Sequence, residues 1–288
     1  MSLWLDMLGA TVRSVNTRSF GATRIAEAGM EHAETVIFMH GIGGHMEAYA
    51  RNIVALSARF HTIAYDFIGH GLSAKPAIDY SPRVLVEHLG ELMDALGLGR
   101  SHLCGESLGG WVAGLFAAAH AERVQRLILN TSAGLPILTD KGRQDLQDLI
   151  DLSRKATTQG PPSYDSILNR MKWLFHPHNH HMISDELVNT RLRFYSQPMM
   201  KDIAPRVLAM IPMHDDYLIP LEQIRAETLF LWTTDNPVHD VETARRSAAQ
   251  VPGAKLYVMQ ADAAHWPQYE APEEFNGVVA RFLASGEI

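Results

Sequence analysis

The sequence predicts an α/β protein: a mostly parallel central sheet with helices on both faces and a helical lid inserted late in the chain. Three observations predict it. Short β-branched and apolar runs recur along the chain, helical patterns separate them, and this alternation lapses once, over residues 135–225. Runs nearly continuous in apolar residues suit strands buried on both faces of a parallel sheet. Their alternation with helices is the pattern of a layered α/β architecture.

The strand runs, in order, are Thr35-Val36-Ile37-Phe38-Met39, His61-Thr62-Ile63-Ala64-Tyr65, Leu103-Cys104, Leu127-Ile128-Leu129, Thr228-Leu229-Phe230-Leu231-Trp232 and Leu256-Tyr257-Val258-Met259. Helical patterns at 83–96, 108–120, 241–250 and 273–283 supply the crossovers. Residues 135–225 turn polar and amphipathic, as in Asp145-Leu146-Gln147-Asp148-Leu149-Ile150-Asp151-Leu152 and Met171-Lys172-Trp173-Leu174-Phe175. An insertion of this size most simply caps the carboxyl edge of the sheet, where open α/β sheets place their ligands. The expected division is a core in two parts, 1–134 and 226–288, with the lid at 135–225. No internal repeat or low-complexity linker interrupts it.

A chain of 288 residues, 47% hydrophobic, can bury a full core. Its formal net charge of −7 comes without a basic cluster, so the footprint that nucleic acids select is missing. No apolar run approaches the roughly 18 residues needed to span a bilayer, and residues 1–8 lack the cationic start and cleavage site of an export signal. The single cysteine, Cys104, excludes an internal disulfide framework and reads as a buried structural thiol in a reducing compartment. A cytoplasmic protein that binds neither nucleic acid nor membrane is expected.

The most informative stretch is Gly105-Glu106-Ser107-Leu108-Gly109, a G-x-S-x-G pentapeptide between an apolar run and a helix-forming run. In that setting it reads as a strand, a sharp turn and a helix that push a strained serine into solvent as a nucleophile. The bland alternative is a serine that merely caps the next helix. A nucleophilic serine needs a base, and the base needs a group that fixes its tautomer. His265 follows the last predicted strand after a short turn and lies on the same sheet edge as Ser107. In the turn after Trp232, Asp235 is the first carboxylate and the first choice for the acid; Asp240 reads equally as the N-cap of the following helix.

An oxyanion hole needs two backbone N–H groups. Leu108 supplies one, and Ile42, within His40-Gly41-Ile42-Gly43-Gly44, is the candidate for the other. Gly41 and Gly43 let backbone approach a substrate without Cβ clashes. A dinucleotide loop is disfavoured because the third glycine of G-x-G-x-x-G is absent. In Phe175-His176-Pro177-His178-Asn179-His180-His181, alternate histidines suggest metal, but Pro177 breaks any helix that would fix them and no cysteine completes a site. A polar lid loop is the preferred reading, so no metal and no organic cofactor is expected.

With these residues in place, the chain resembles the α/β-hydrolases over nearly its whole length. More narrowly it is similar to the meta-cleavage product hydrolases, which break a carbon–carbon bond in ring-opened dienoates of bacterial aromatic degradation. The likeness rests on His40-Gly41, on Tyr65-Asp66-Phe67-Ile68-Gly69-His70-Gly71-Leu72-Ser73, and on the serine turn. Its narrower part is His265-Trp266-Pro267-Gln268-Tyr269-Glu270 with Glu273-Glu274-Phe275-Asn276. The resemblance implies an α/β-hydrolase fold and a lid arginine for the substrate's carboxylate, carried here by Glu186-Leu187-Val188-Asn189-Thr190-Arg191, and it places Trp266 beside the substrate. Guanidinium pairs bidentately with carboxylate, which suits Arg191 to that role. It also implies a small aromatic-derived dienoate as substrate and a homodimer as the family habit.

Departures from the family pattern fall in the pocket. Glu106 stands where the family commonly has asparagine, Ala48 where it has a polar asparagine, and Asn236 at the place of the family's acid, with Asp235 one residue early. The rivals are a carboxylesterase or lactonase with the same triad and no carboxylate clamp, and a ligand receptor without turnover. Dehalogenases and epoxide hydrolases are disfavoured because their nucleophile is a carboxylate.

Overall fold

The computed structural model describes residues 2–158 and 160–288. An eight-stranded sheet runs in the order β1-β2-β4-β3-β5-β6-β7-β8, its strands being β1 (Thr11–Thr17), β2 (Gly21–Ala28), β3 (Thr35–Met39), β4 (His61–Tyr65), β5 (Ser101–Glu106), β6 (Val124–Asn130), β7 (Glu227–Trp232) and β8 (Lys255–Val258). From β4 through β8 every pairing is parallel. β3 and β5 are buried at every position, as continuous apolar runs in a parallel sheet should be.

β1 and β2 have no counterpart among the expected runs. They form an antiparallel hairpin that pairs with β4. β1 reads Thr-Val-Arg-Ser-Val-Asn-Thr and buries only Val15 and Thr17. An edge strand with one solvated face need not be apolar, so the hairpin left no hydrophobic signal to read.

Helices cover both faces. α1 (Leu3–Asp6) and α2 (Ala50–Leu56) lie before β4, and α3 (Pro82–Ala95) and α4 (Leu108–Ala119) flank β5. α3 begins with Pro82 behind Ser81, whose hydroxyl accepts from the Val84 N–H at 3.3 Å, a cap that satisfies one orphan donor of the first turn. Two apolar clusters result. One packs α3 and α4 on the sheet; the other packs α2 and the C-terminal helix on the opposite face.

Between β6 and β7 the chain builds α5 (Asp140–Thr158), α6 (Tyr164–Leu174), α7 (Asp185–Tyr195) and α8 (Met200–Leu208), with short 3-10 turns between them. Ser163 and Ser184 cap α6 and α7. α9 (Val241–Ala248), α10 (Pro267–Glu270) and α11 (Pro272–Ser285) complete the fold. Asp240 caps α9, its Oδ1 accepting from the Thr243 N–H at 2.8 Å, which spends that carboxylate on the helix. Among the described residues, no helix is long and apolar enough to cross a membrane.

Candidate active site

Ser107, His265 and the glycine loop all sit where strands end. Ser107 follows β5 with φ 53° and ψ −115°, a left-handed conformation costly for a residue with a Cβ. The flanking glycines make the turn possible: a Cβ on Gly105 would lie 2.2 Å from the Gly109 backbone, and one on Gly109 would lie 2.1 Å from the Met39 carbonyl oxygen. The Ser107 N–H donates to the Asn130 carbonyl at 3.2 Å, and its own carbonyl accepts from Trp111 and Ala133. Backbone therefore holds the turn and leaves the hydroxyl without a structural duty. The Leu108 N–H, first in α4, has no intrahelical acceptor.

His265 lies in the turn after β8, buried to 6% exposure. Its Nδ1 is 2.6 Å from Asn236 Oδ1. The Asn236 Nδ2 donates to the His239 carbonyl at 2.7 Å, which fixes the amide orientation and leaves Oδ1 as the acceptor facing the ring. Nδ1 therefore carries the proton and Nε2 the lone pair of a base.

Asp235, the first choice from sequence, does not reach His265. Its carboxylate is half exposed, accepts from the Thr234 hydroxyl at 2.7 Å and lies 4.0 Å from His176 Nε2. Neighbouring residues in a tight turn point to opposite sides, and Val238, at φ 78°, bends the chain so that Asn236 faces inward. Position along the chain could not reveal which of the two would turn in.

A single buried carboxylate organises the turn around His265. Glu270 accepts from the N–H groups of Ala264 and Trp266, on either side of the histidine, and from His176 N and Asn179 Nδ2 of the insertion. Burial pushes its carboxyl upward despite these four donors. Gln268 accepts from Asn130 Nδ2 at 2.8 Å, tying the histidine turn to the serine turn, and Asn276 joins α11 to α2 through Asn52 and the Arg51 carbonyl. The residues that carry the narrower family likeness are thus largely a scaffold for His265.

The glycine loop after β3 is held from below. His40 is buried, its Nδ1 2.7 Å from the Gly41 carbonyl, and its Nε2 accepts from the Phe67 N–H. Burial brings its pKa down to about 4, so the ring is neutral and Nδ1–H donates. Beyond the loop, Arg24 forms paired bonds of 2.9 and 2.8 Å with Glu47 and one of 2.6 Å with Asp66. Asp66 also accepts from the N–H groups of Met46 and Leu72. This ionic cluster explains the aspartate of the Tyr65–Ser73 motif: it locks the loop that presents Ile42.

Above these turns lies a cavity enclosing about 680 Å³, its open mouth included. Gly41, Ile42, Glu106, Ser107, Leu108, His265 and Trp266 line its floor, while Leu146, Leu149, Trp173, Met210 and Ile211 form apolar walls. Gly43 is not on that wall. At φ +65° it lies against the insertion, and a Cβ there would meet the Tyr195 hydroxyl at 2.2 Å and Arg191 Nη2 at 3.4 Å.

Arg191, on α7, also lines the cavity and is 1% exposed. Its Nε and Nη1 have no hydrogen-bond acceptor among the described residues, and its guanidinium stands 5.6 Å from the Trp266 ring. Desolvation pulls its pKa down, opposed by Tyr195 and Glu106. A second, half-buried arginine that sequence reading did not single out, Arg170 on α6, lines the same cavity, its pKa pushed down to about 10 by desolvation and then by the charge of Arg191. Two guanidinium groups thus face an apolar chamber with no carboxylate among the described residues bound to either, an arrangement suited to an incoming anion. His214 and His239 stack at 5.6 Å on the far wall, and burial holds both below the ordinary imidazole range, as neutral rings.

Glu106 is the other feature that spacing could not reveal. It is 1% exposed, its Oε2 accepts from the Gly41 N–H at 2.5 Å, and its Oε1 lies 3.1 Å from His265 Nε2. That last contact is close without the alignment of a hydrogen bond. Histidines 176 and 178 fasten the insertion to the core, with His178 Nδ1 2.8 Å from Asp262 Oδ2. One ligand atom each of His176, His178 and Asp262 lies within 4.8 Å of the others.

Comparison with known proteins agrees with this fold. A family model for the alpha/beta hydrolase fold matches residues 34–272. A 2-hydroxy-6-oxo-2,4-heptadienoate hydrolase of Pseudomonas putida (strain F1) is 30% identical over 263 residues, covering 87% of this chain and 89% of that protein. A protein of Caulobacter sp. (strain K31), provisionally named a carbamate hydrolase, is 31% identical over 261 residues, covering 88% and 91%. Among solved structures, a meta-cleavage product hydrolase from Pseudomonas fluorescens IP01 superposes with a TM-score of 0.78 at 24% identity, covering 97% of this chain and all of that one. The chain is a member of the α/β hydrolase family, similar over most of its length to hydrolases of ring-cleavage dienoates.

Proposed function

We propose that this protein is a serine-dependent hydrolase that cleaves a carbon–carbon bond in 2-hydroxy-6-oxo-hexa-2,4-dienoate-type ring-cleavage products, the insertion of residues 135–225 acting as its lid. The observation that carries the reading is Arg191: a buried guanidinium with two unpartnered N–H donors, in the same cavity as Ser107 and His265. An ester hydrolase has no use for it. A substrate carboxylate is the acceptor such a buried guanidinium lacks.

In this reading Arg191 binds the carboxylate end of the dienoate while Trp266 and the apolar walls hold its carbon chain. His265 and Arg191 assist ketonisation of the dienol, so that the departing fragment leaves as a stabilised enolate. Ser107 Oγ adds to the 6-oxo carbonyl carbon as His265 Nε2 takes its proton. The carbonyl π pair moves to oxygen, facing the N–H groups of Leu108 and Ile42. The carbon–carbon bond then breaks, the proton returns to the leaving fragment, and water hydrolyses the acyl-serine. Asn236 keeps Nδ1 protonated throughout.

The test mixes purified protein with several yellow ring-cleavage dienoates and follows the loss of visible absorbance, with p-nitrophenyl acetate as the ester control. Arg191→Ala is expected to cripple dienoate turnover and spare the ester. Turnover of the ester with failure on every dienoate would establish an esterase instead; absence of fluorophosphonate labelling at Ser107 would turn the reading toward a ligand receptor.

A further inference from the structure

We infer that Glu106 is the charge partner of His265, supplying from the serine's own strand the carboxylate that Asn236 cannot. The inference deepens the proposed function, since it rests on Ser107 and His265 as nucleophile and base. A triad acid performs two tasks: it orients the imidazole and it stabilises the imidazolium that forms when the serine loses its proton. Here the tasks are divided. Asn236 orients, through Oδ1 on Nδ1–H at 2.6 Å, with its own amide pinned on the His239 carbonyl. It carries no charge.

The charge lies on the other side of the ring. Glu106 Oε1 is 3.1 Å from Nε2, the nitrogen that receives the proton. The other oxygen, Oε2, is anchored by the Gly41 N–H, and a Cβ on Gly41 would approach it to 2.6 Å. The carboxylate cannot swing away without giving up that bond, while Oε1 is buried with no hydrogen bond of its own. Other charged or titratable groups around the pair are Arg191 on α7, which faces Glu106, the buried Tyr49 phenol, which burial keeps protonated, His239 after β7, and Glu270 on α10, whose oxygens are committed to four N–H donors. None of these carboxylates or rings can replace Glu106 at Nε2.

During attack, the Ser107 proton moves to Nε2 and the new positive charge forms beside the Glu106 carboxylate. When the leaving group takes that proton, the ring returns to neutral. Nε2 meets Glu106 at rest and shares no hydrogen bond with Ser107 Oγ among the described residues, so it reorients toward Oγ as substrate docks; catalytic bonds commonly tighten in that way. Glu106 acts through His265 and is a positioning residue in that sense. Its anchor on Gly41 also steadies the loop whose next residue, Ile42, faces the developing oxyanion.

The experiment compares wild type, E106Q, N236D, the double variant E106Q/N236D and E106D, on p-nitrophenyl acetate and on a dienoate, with thermal melts as a check of folding. For E106Q, kcat is expected to fall about 10²-fold with KM within about threefold. The double variant, which moves the carboxylate to the opposite side of the ring, should recover at least about tenfold of that loss, and N236D alone should not exceed wild type. A merely structural Glu106 predicts no rescue. E106D, which keeps the charge, covers the case in which E106Q does not fold and should stay within about tenfold of wild type. E106Q within about threefold of wild type, or a double variant as slow as E106Q, would overturn the inference. A wild type that hydrolyses the ester and no dienoate removes the carbon–carbon reading, and the ester series still decides the role of Glu106. A wild type that neither labels at Ser107 nor hydrolyses the ester overturns both.

Discussion

Replacing Arg191 by methionine is expected to make the protein more stable and less active at once. The guanidinium is 1% exposed and its Nε and Nη1 have no acceptor among the described residues, and each unsatisfied buried donor costs about 1–3 kcal/mol. Arg170 adds repulsion, since the two charges share one chamber. Methionine keeps most of the apolar stem, so lost packing returns about 1 kcal/mol of the gain. The net is about 1–5 kcal/mol in favour of the variant, or roughly 2–8 °C in Tm for a chain of this size. Against that stands the lost clamp: a bidentate charge-assisted pair with substrate is worth about 3–4 kcal/mol, or 10²–10³-fold in kcat/KM.

The assay is a ligand-free thermal melt beside steady-state kinetics on a dienoate and on p-nitrophenyl acetate. The expected pattern is a higher Tm, a collapsed dienoate rate and an ester rate within about threefold. A lower Tm with both activities falling together would refute the reasoning, because it would make Arg191 an ordinary structural residue.

Two further outcomes follow from the geometry. Asn236→Ala should lower kcat about 10²-fold by releasing the His265 ring, whereas Asp235→Ala should change it less than about twofold; equal effects in parallel rate measurements would restore Asp235 to the triad. Acid should loosen the glycine loop through Glu47, whose burial opposes ionisation but whose bonds to His45 and Arg24 hold its pKa at about 2. A depressed carboxylate contributes stability above its unfolded pKa and loses it as pH falls through the folded one. About 3 kcal/mol should therefore drain between pH 4.5 and 2, and urea midpoints of E47Q should change less than those of wild type across that window.

What was legible in the sequence follows from physics. β3 to β7 could be read because strands largely buried on both faces must be mostly apolar, and β8, exposed or half-buried along its length, by its short apolar run; β1 and β2 could not, because Arg13, Ser14 and Asn16 face water and obey no such rule. Ser107 and His265 were legible because the G-x-S-x-G turn and the end of the last strand restrict where a chain can go. Asn236 was reached only through the family resemblance: Asp235 and Asn236 differ by one position in a turn, and the inward choice depends on the backbone bend at Val238. Arg170 gave no signal, since one arginine on an amphipathic helix is ordinarily solvated. Glu106 was conspicuous as a departure, but its role needed the 3.1 Å distance to Nε2.

Glu270 carries a mechanical consequence. One carboxylate grips the backbone on both sides of His265 and, with its second oxygen, the root of the insertion at His176 and Asn179. A hinge at that root would drag the base out of line, so the root is a fixed anchor and the pocket must be entered from elsewhere. The rim where α5 brings Leu146 and Leu149 to the cavity is tied instead to the turn after β7, through Asp145 on the Val238 N–H and Thr139 on Asp240. Glu270 thus holds the backbone of the base in place, and only the His265 ring has to turn toward Ser107 as the pocket fills.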